Sequence, residues 1–237
     1  MRLSFSTRGW QHLSWEEALE AASDADLEGV EVYDLYKRDD LIQRGGPFDR
    51  YNLVATARKL RERGLRIPCL DSSCDLSDAG SVERLRALVD TARAMQIPCV
   101  AAPVYVDDEE KIREHLRMLL SHAETSGVSV LIRTTGIYSD TGRLRALMDD
   151  FASDYLAVLW EIHHPYRDHG EDADTTIKNL GAYVRHVHLR DSDDQGDYNI
   201  IGEGTLPIPE MVQALASIDY DGFVSLEWKP QWLEGMD

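Results

Sequence analysis

Three stretches place chemically capable side chains at the ends of apolar runs. One run ends in Glu161-Ile162-His163-His164, a second in His188-Leu189-Arg190-Asp191, and a third in Ser225-Leu226-Glu227-Trp228. Carboxylates and imidazoles are the groups that ligate divalent ions and move protons near neutral pH. Glu161, His188 and Glu227 offer an O/N/O donor set suited to Mn²⁺, Mg²⁺, Co²⁺ or Zn²⁺. The same residues could instead form hydrogen-bonded ion pairs around Arg133, which closes a fourth apolar run. Either reading requires runs far apart in the chain to deliver their last residues to one place.

The spacing of the runs supplies such an arrangement. Strands are predicted over 3–6, 27–33, 65–70, 98–104, 128–133, 156–161, 184–189 and 223–228. Amphipathic helices are predicted between them, over about 14–23, 51–63, 81–95, 107–125, 141–151, 172–180 and 207–217, the first opened by the capping box Ser14-Trp15-Glu16-Glu17. Strict strand–helix alternation implies a parallel sheet with right-handed crossovers. Eight such units in 237 residues suit an α/β fold, a closed (β/α)₈ barrel formed as one domain over 1–237, with a doubly wound sheet as the other solution.

In a barrel the functional groups come from the C-terminal strand ends, where every candidate above falls. The other ends present Ser6-Thr7-Arg8, Glu31 with Tyr33, Asp71-Ser72-Ser73, Tyr105, and Lys229 after the last strand. Trp228, Trp160, Tyr33 and Tyr166 could wall a sugar ring or simply pack. Beyond 228 the chain holds residues 229–237, so the eighth outer helix is expected to be missing. A homo-oligomer or a further C-terminal segment would then cover the apolar groove left between the first and seventh helices.

Composition narrows the partners. With 25 basic against 43 acidic residues, net −18, the surface repels phosphate backbones and anionic lipids, so neither nucleic acid nor membrane is an expected partner. No run approaches the ~18 apolar residues of a membrane span. Cys69, Cys74 and Cys99 cannot all pair and form no CxxC, which fits a reducing cytoplasm. His12, His115 and His122 fall on predicted helices or loops and read as solvated.

The blocks CLDSS (69–73), VLWEIHHPYR (158–167), VRHVHLRDS (184–192), GEG (202–204) and DGFVSLEWKPQW (221–232) resemble the sugar phosphate isomerase/epimerase branch of the xylose isomerase-like TIM barrels. The resemblance spans essentially the whole chain. It implies a small carbohydrate-like substrate, an enediolate intermediate and one divalent metal on four ligands. Those ligands would be a Glu ending strand five, an Asp ending strand six, a His in an HxKD-like motif and a Glu in an SLEW-like motif.

By that resemblance His188 and Glu227 are the last two ligands, and Glu161 stands in place of the Asp. Glu227, Glu161 and His164 are then the catalytic candidates. Arg133, His163, Asp191, Trp228 and Tyr33 are the substrate-binding candidates. At the strand-five position the chain reads Leu131-Ile132-Arg133-Thr134-Thr135, so a ligand has become a guanidinium without a lone pair. A divalent metal is therefore expected at less than one equivalent, and two-base epimerisation loses one base. The reactions left open are one-base isomerisation and an inosose dehydratase-like elimination; metal-free binding of a sugar acid by Arg133, or a non-catalytic carbohydrate-binding barrel, are the alternatives.

Overall fold

The structure is a computed structural model and describes residues 1–228. Strands β1 (Arg2–Ser6), β2 (Gly29–Tyr33), β3 (Leu70–Asp71), β4 (Cys99–Ala102), β5 (Ser129–Arg133), β6 (Leu156–Glu161), β7 (Val184–Leu189) and β8 (Phe223–Leu226) pair in parallel with their sequence neighbours. Strand β8 closes on β1, with Arg2 opposite Phe223 and Phe5 opposite Leu226, so the sheet is a closed TIM barrel. Between the strands lie α1 (Trp15–Asp24), α2 (Leu53–Glu62), α3 (Ser81–Met95), α4 (Glu109–Ser126), α5 (Thr141–Phe151), α6 (Ala173–Leu180) and α7 (Ile208–Ser217).

Local sequence explains the helix ends. Ser14 and Glu17 form the reciprocal capping box of α1, and Asp108, Asp140 and Asp172 accept main-chain N–H groups at the starts of α4, α5 and α6. Strands β3, β4 and β8 are shorter than their apolar runs. Pro68 and Pro98 have no N–H to give a ladder, so Arg66 makes only an isolated bridge to Gly29 and the continuous strands begin beyond the prolines. The expected absence of an eighth outer helix, and Lys229, concern residues outside those described.

The interior of the barrel is divided. Cys69, Cys99, Ala101, Leu131, Ala157 and Leu159 form a small apolar cluster on the β3–β6 side. On the opposite side Ser4, Glu31, His186, His188, Ser225 and Glu227 are all buried. Glu31 on β2 reaches His186 and His188 on β7 across the intervening β1 and β8, so these side chains point inward. Their neighbours in sequence, such as Val30, Val32 and Val187, face the helices and join the larger core, as the two-residue strand period requires.

One loop at the mouth depends on glycine. Gly136 follows β5 with φ +61°, and a Cβ there would meet the Val104 carbonyl oxygen at 2.3 Å and the Tyr105 ring at 2.9 Å. Gly136→Ala is expected to cost about 2–3 kcal/mol, combining a left-handed backbone with a main-chain clash. Urea denaturation measures it; a loss below about 0.5 kcal/mol would mean that this loop adapts freely.

Candidate active site

Four strand ends place the central cluster. Arg133 ends β5, Glu161 ends β6, His188 lies near the end of β7, and Glu227 follows β8; each is 2% exposed or less. Thr134 fixes Glu161 by accepting its main-chain N–H at 2.8 Å. The Arg133 guanidinium donates to Glu161 Oε1 and lies 3.3 Å from Asp71 Oδ2 at the end of β3. Arg190, one residue past β7, grips Glu161 Oε2 and approaches Glu227 Oε2 at 3.2 Å. Arg8, beyond β1, donates to Glu227 Oε1 and lies over the Tyr33 ring at 4.8 Å.

His188 links this cluster to a lower layer. Its Nε2 lies 2.9 and 3.0 Å from the two Glu31 oxygens, and Glu31 also bonds His186 Nε2, which meets Ser225 Oγ at 3.0 Å. Its Nδ1 faces Glu161 Oε1 at 3.8 Å and Glu227 Oε2 at 3.7 Å. His188 Nδ1 and Glu227 Oε2 are both buried without a hydrogen bond. Only the Arg190 ion pair and the facing imidazole meet that oxygen, and a buried polar atom without a hydrogen bond calls for an explanation.

A metal ion is one candidate explanation. Glu161, His188 and Glu227 can each offer a ligand atom, all within 4.8 Å of one another, and the Glu31–His188 bond is the kind of outer contact that orients a ligating imidazole. The charge around them is already met, however. Both Glu161 oxygens and Glu227 Oε1 carry guanidinium donors. The four carboxylates Glu31, Asp71, Glu161 and Glu227 face Arg8, Arg133 and Arg190, and a protonated His188 balances the remainder. Burial opposes that protonation, but Glu31 outweighs it, followed by Glu227 and Asp71, so the imidazole pKa is raised. A divalent ion in place of that proton would leave the cluster with excess positive charge in a dry interior, which is costly. A divalent ion on Glu161, His188 and Glu227 would therefore have to compete with Arg133, Arg190 and Arg8 for the two carboxylates.

The same fields set the acids. Burial raises Asp71 to about 6 against the pull of Arg133. Burial would also raise Glu227, yet Arg190, His188, Arg8 and Arg133 prevail and hold its carboxyl well below the usual range. Burial drives Tyr33 up to about 12.

The remaining sequence candidates separate. His164 lies beside the cluster, Nε2 3.4 Å from Glu161 Oε2 and Nδ1 3.1 Å from Asp168. His163 is buried on the Tyr198 ring at 5.0 Å, and neither ring nitrogen has a hydrogen bond. Asp191, placed among the substrate-binding candidates, instead turns away from the cluster and accepts main-chain N–H groups from Ser192, Gly202, Gly204 and Leu206. The GEG loop packs so tightly on it that a Cβ at Gly204 would lie 2.2 Å from Asp191 Oδ1. Trp228 lines an apolar groove with Trp10, Leu13, Leu27, Ile201 and Leu226 rather than a wall of the cluster. Trp160 is core, and His115, read as solvated, is buried with Nδ1 2.7 Å from the Leu76 carbonyl oxygen.

Sequence reading passed over Arg8, Arg190, Glu31 and Asp71 as members of one site. Arg190 had a signal, since it occupies the basic position of the HxKD-like motif. The others were only polar residues at strand ends.

His163 gives a pH signature. Burial, then His164, lowers its pKa from 6.5 to about 4. A lowered folded pKa contributes stability that is present above pH 6.5 and lost as pH falls toward 4, worth about 2 kcal/mol after allowance for solvent. Denaturation of wild type and His163→Phe at pH 7 and 4.5 should show this loss in the wild type only; equal pH dependence would show that the ring titrates normally.

Among known proteins, a family model described as xylose isomerase-like TIM barrel matches residues 19–237. The chain is 37% identical over 72 residues to a putative hydroxypyruvate isomerase of Streptomyces coelicolor, covering 30% of this chain and 24% of that protein. It is 27% identical over 126 residues to fructoselysine 3-epimerase of Escherichia coli O157:H7, covering 49% and 44%. Matched stretches span 24% to 49% of the length of such curated relatives. In three dimensions it superposes on the IOLI protein with a bound zinc atom at TM-score 0.81 and 15% identity, covering 98% of this chain and 91% of that one. At that identity the likeness establishes the fold.

Proposed function

The chain belongs to the xylose isomerase-like TIM barrel family, and from that premise we propose that it is an isomerase- or epimerase-type enzyme acting on a small carbohydrate-like hydroxy-carbonyl compound through an enediolate. The observation that carries this reading is the pair of buried atoms Glu227 Oε2 and His188 Nδ1, 3.7 Å apart, without a hydrogen bond, and beside the Arg190 guanidinium. Glu227 is the base that removes the proton from the carbon beside the carbonyl, and it returns that proton to the neighbouring carbon. His188 passes the hydroxyl proton to the former carbonyl oxygen. Arg133 and Arg190 neutralise the enediolate as it forms, the electrostatic duty that a resident ion would otherwise perform.

The guanidinium groups also favour a substrate that carries a carboxylate, because planar bidentate contacts suit a sugar acid or hydroxy acid. Arg8, with a side chain 15% exposed, and His164, at 21%, stand between the buried cluster and solvent and are the groups that entry must displace. The relatives named putative hydroxypyruvate isomerase and fructoselysine 3-epimerase support the general chemistry without fixing the substrate.

The test is proton exchange. A panel of hydroxy-ketones and hydroxy-aldehydes, with and without a carboxylate, is incubated with the protein in D₂O containing EDTA and followed by ¹H NMR. Loss of the signal from the carbon beside the carbonyl is expected for at least one anionic member. No exchange with any member, together with measurable binding, would favour a metal-free carbohydrate-binding barrel instead.

A further inference from the structure

At the end of the barrel opposite the mouth, the starts of the strands enclose a basin of about 580 Å³. Arg2 in β1, Arg61 in α2, Arg66 ahead of β3 and Arg185 in β7 line it, and no aspartate or glutamate does. In a chain with 43 acidic against 25 basic residues, a purely cationic basin runs against composition. Most arginines elsewhere meet carboxylates, as Arg143 meets Asp107 and Glu109. Among the described residues none of these four does so.

Arg2 lies over the Phe223 ring at 4.9 Å, and Arg185 donates to the Ala182 and Val184 carbonyls at 3.0 and 3.1 Å. The Arg61 and Arg66 side chains donate to no partner among the described residues. Apolar walls, with Phe223 and Ile97 among them, lower the local dielectric and strengthen any charge contact made there. Guanidinium groups with no carboxylate partner around a partly apolar hollow suit an oxyanion that accepts several N–H bonds at once.

We infer that this basin binds a small organic oxyanion bearing two or more negative charges, of the phosphate-ester or polycarboxylate class. The site is separate from the mouth cluster and does not depend on the chemistry read there. It lies beneath His186, whose ring lines the basin and bonds Glu31.

Titration calorimetry on the full chain at low ionic strength tests this, with pyrophosphate and citrate as probes and chloride at matched ionic strength as the control. One-site binding of at least one probe is expected, weakened about tenfold or more in Arg61→Ser/Arg66→Ser, where charged hydrogen bonds are lost. Both substitutions are on the surface, so an unchanged melting temperature confirms that the variant is folded. The stronger probe tells a phosphate ligand from a carboxylate one. Equal affinity in the double variant, or no binding by wild type, overturns the inference. So does loss of binding in Arg8→Ala with the double variant unaffected, since the anion would then sit at the mouth.

Discussion

Glu227→Gln is expected to lower proton exchange by about 10²–10⁴-fold, the range removed with a positioned general base. Glutamine keeps the shape of the side chain but cannot accept the carbon-bound proton. It also leaves Arg8 and Arg190 short of one carboxylate; Arg190 keeps Glu161, and Arg8 can turn to water. The fold should therefore survive with a moderate fall in melting temperature. Glu161→Gln is the informative companion. Glu161 holds Arg133 and Arg190 in place, so its loss should act chiefly through their positions and on stability. If Glu227→Gln melts lower but exchanges at the wild-type rate, Glu227 is a structural anion and the proposed base is wrong.

Arg133→Glu is expected to convert the cluster into a metal site. It restores a carboxylate where the wild type has a guanidinium, two units of charge in a position 2% exposed. Without metal the variant should lose about 3–5 kcal/mol, because Glu161 and Asp71 lose their cation. With Mn²⁺ or Zn²⁺ it should recover, since any ion that binds only the folded state raises its stability in proportion to its affinity. Elemental analysis should find close to one equivalent in the variant and well under one in the wild type. Tight stoichiometric metal in the wild type would overturn the charge argument. Failure of the variant to gain any would show that Glu161, His188 and Glu227 are not arranged as ligands.

Much of the barrel was legible in the chain. Helices 81–95 and 141–151, and strands 156–161 and 184–189, fall where hydrophobic period and caps put them. The mouth was legible for the same reason, since a parallel strand that ends in Glu161 or His188 must present it at the C-terminal face. Side-chain direction was harder. Asp191 sits two residues past Leu189, the last residue of β7, in a short antiparallel pair with Tyr198–Asn199, and the GEG loop that follows brings its main-chain N–H groups onto the carboxylate. Trp228 faces an outer groove with Leu226, two residues before it, while Glu227 between them is buried in the cluster, as the strand alternation requires.

The sequence by itself determined that carboxylates, imidazoles and one anomalous arginine converge at one end of a closed sheet, because alternation and strand polarity are local properties. Only the tertiary structure decided the charge of that convergence. Arg8, Asp71 and Arg190 come from strand ends with no common motif, and closure of the barrel brings them within reach of Glu161 and Glu227. Arg133, anomalous in the sequence, is in three dimensions one of three arginines paired with Glu161, Asp71 and Glu227.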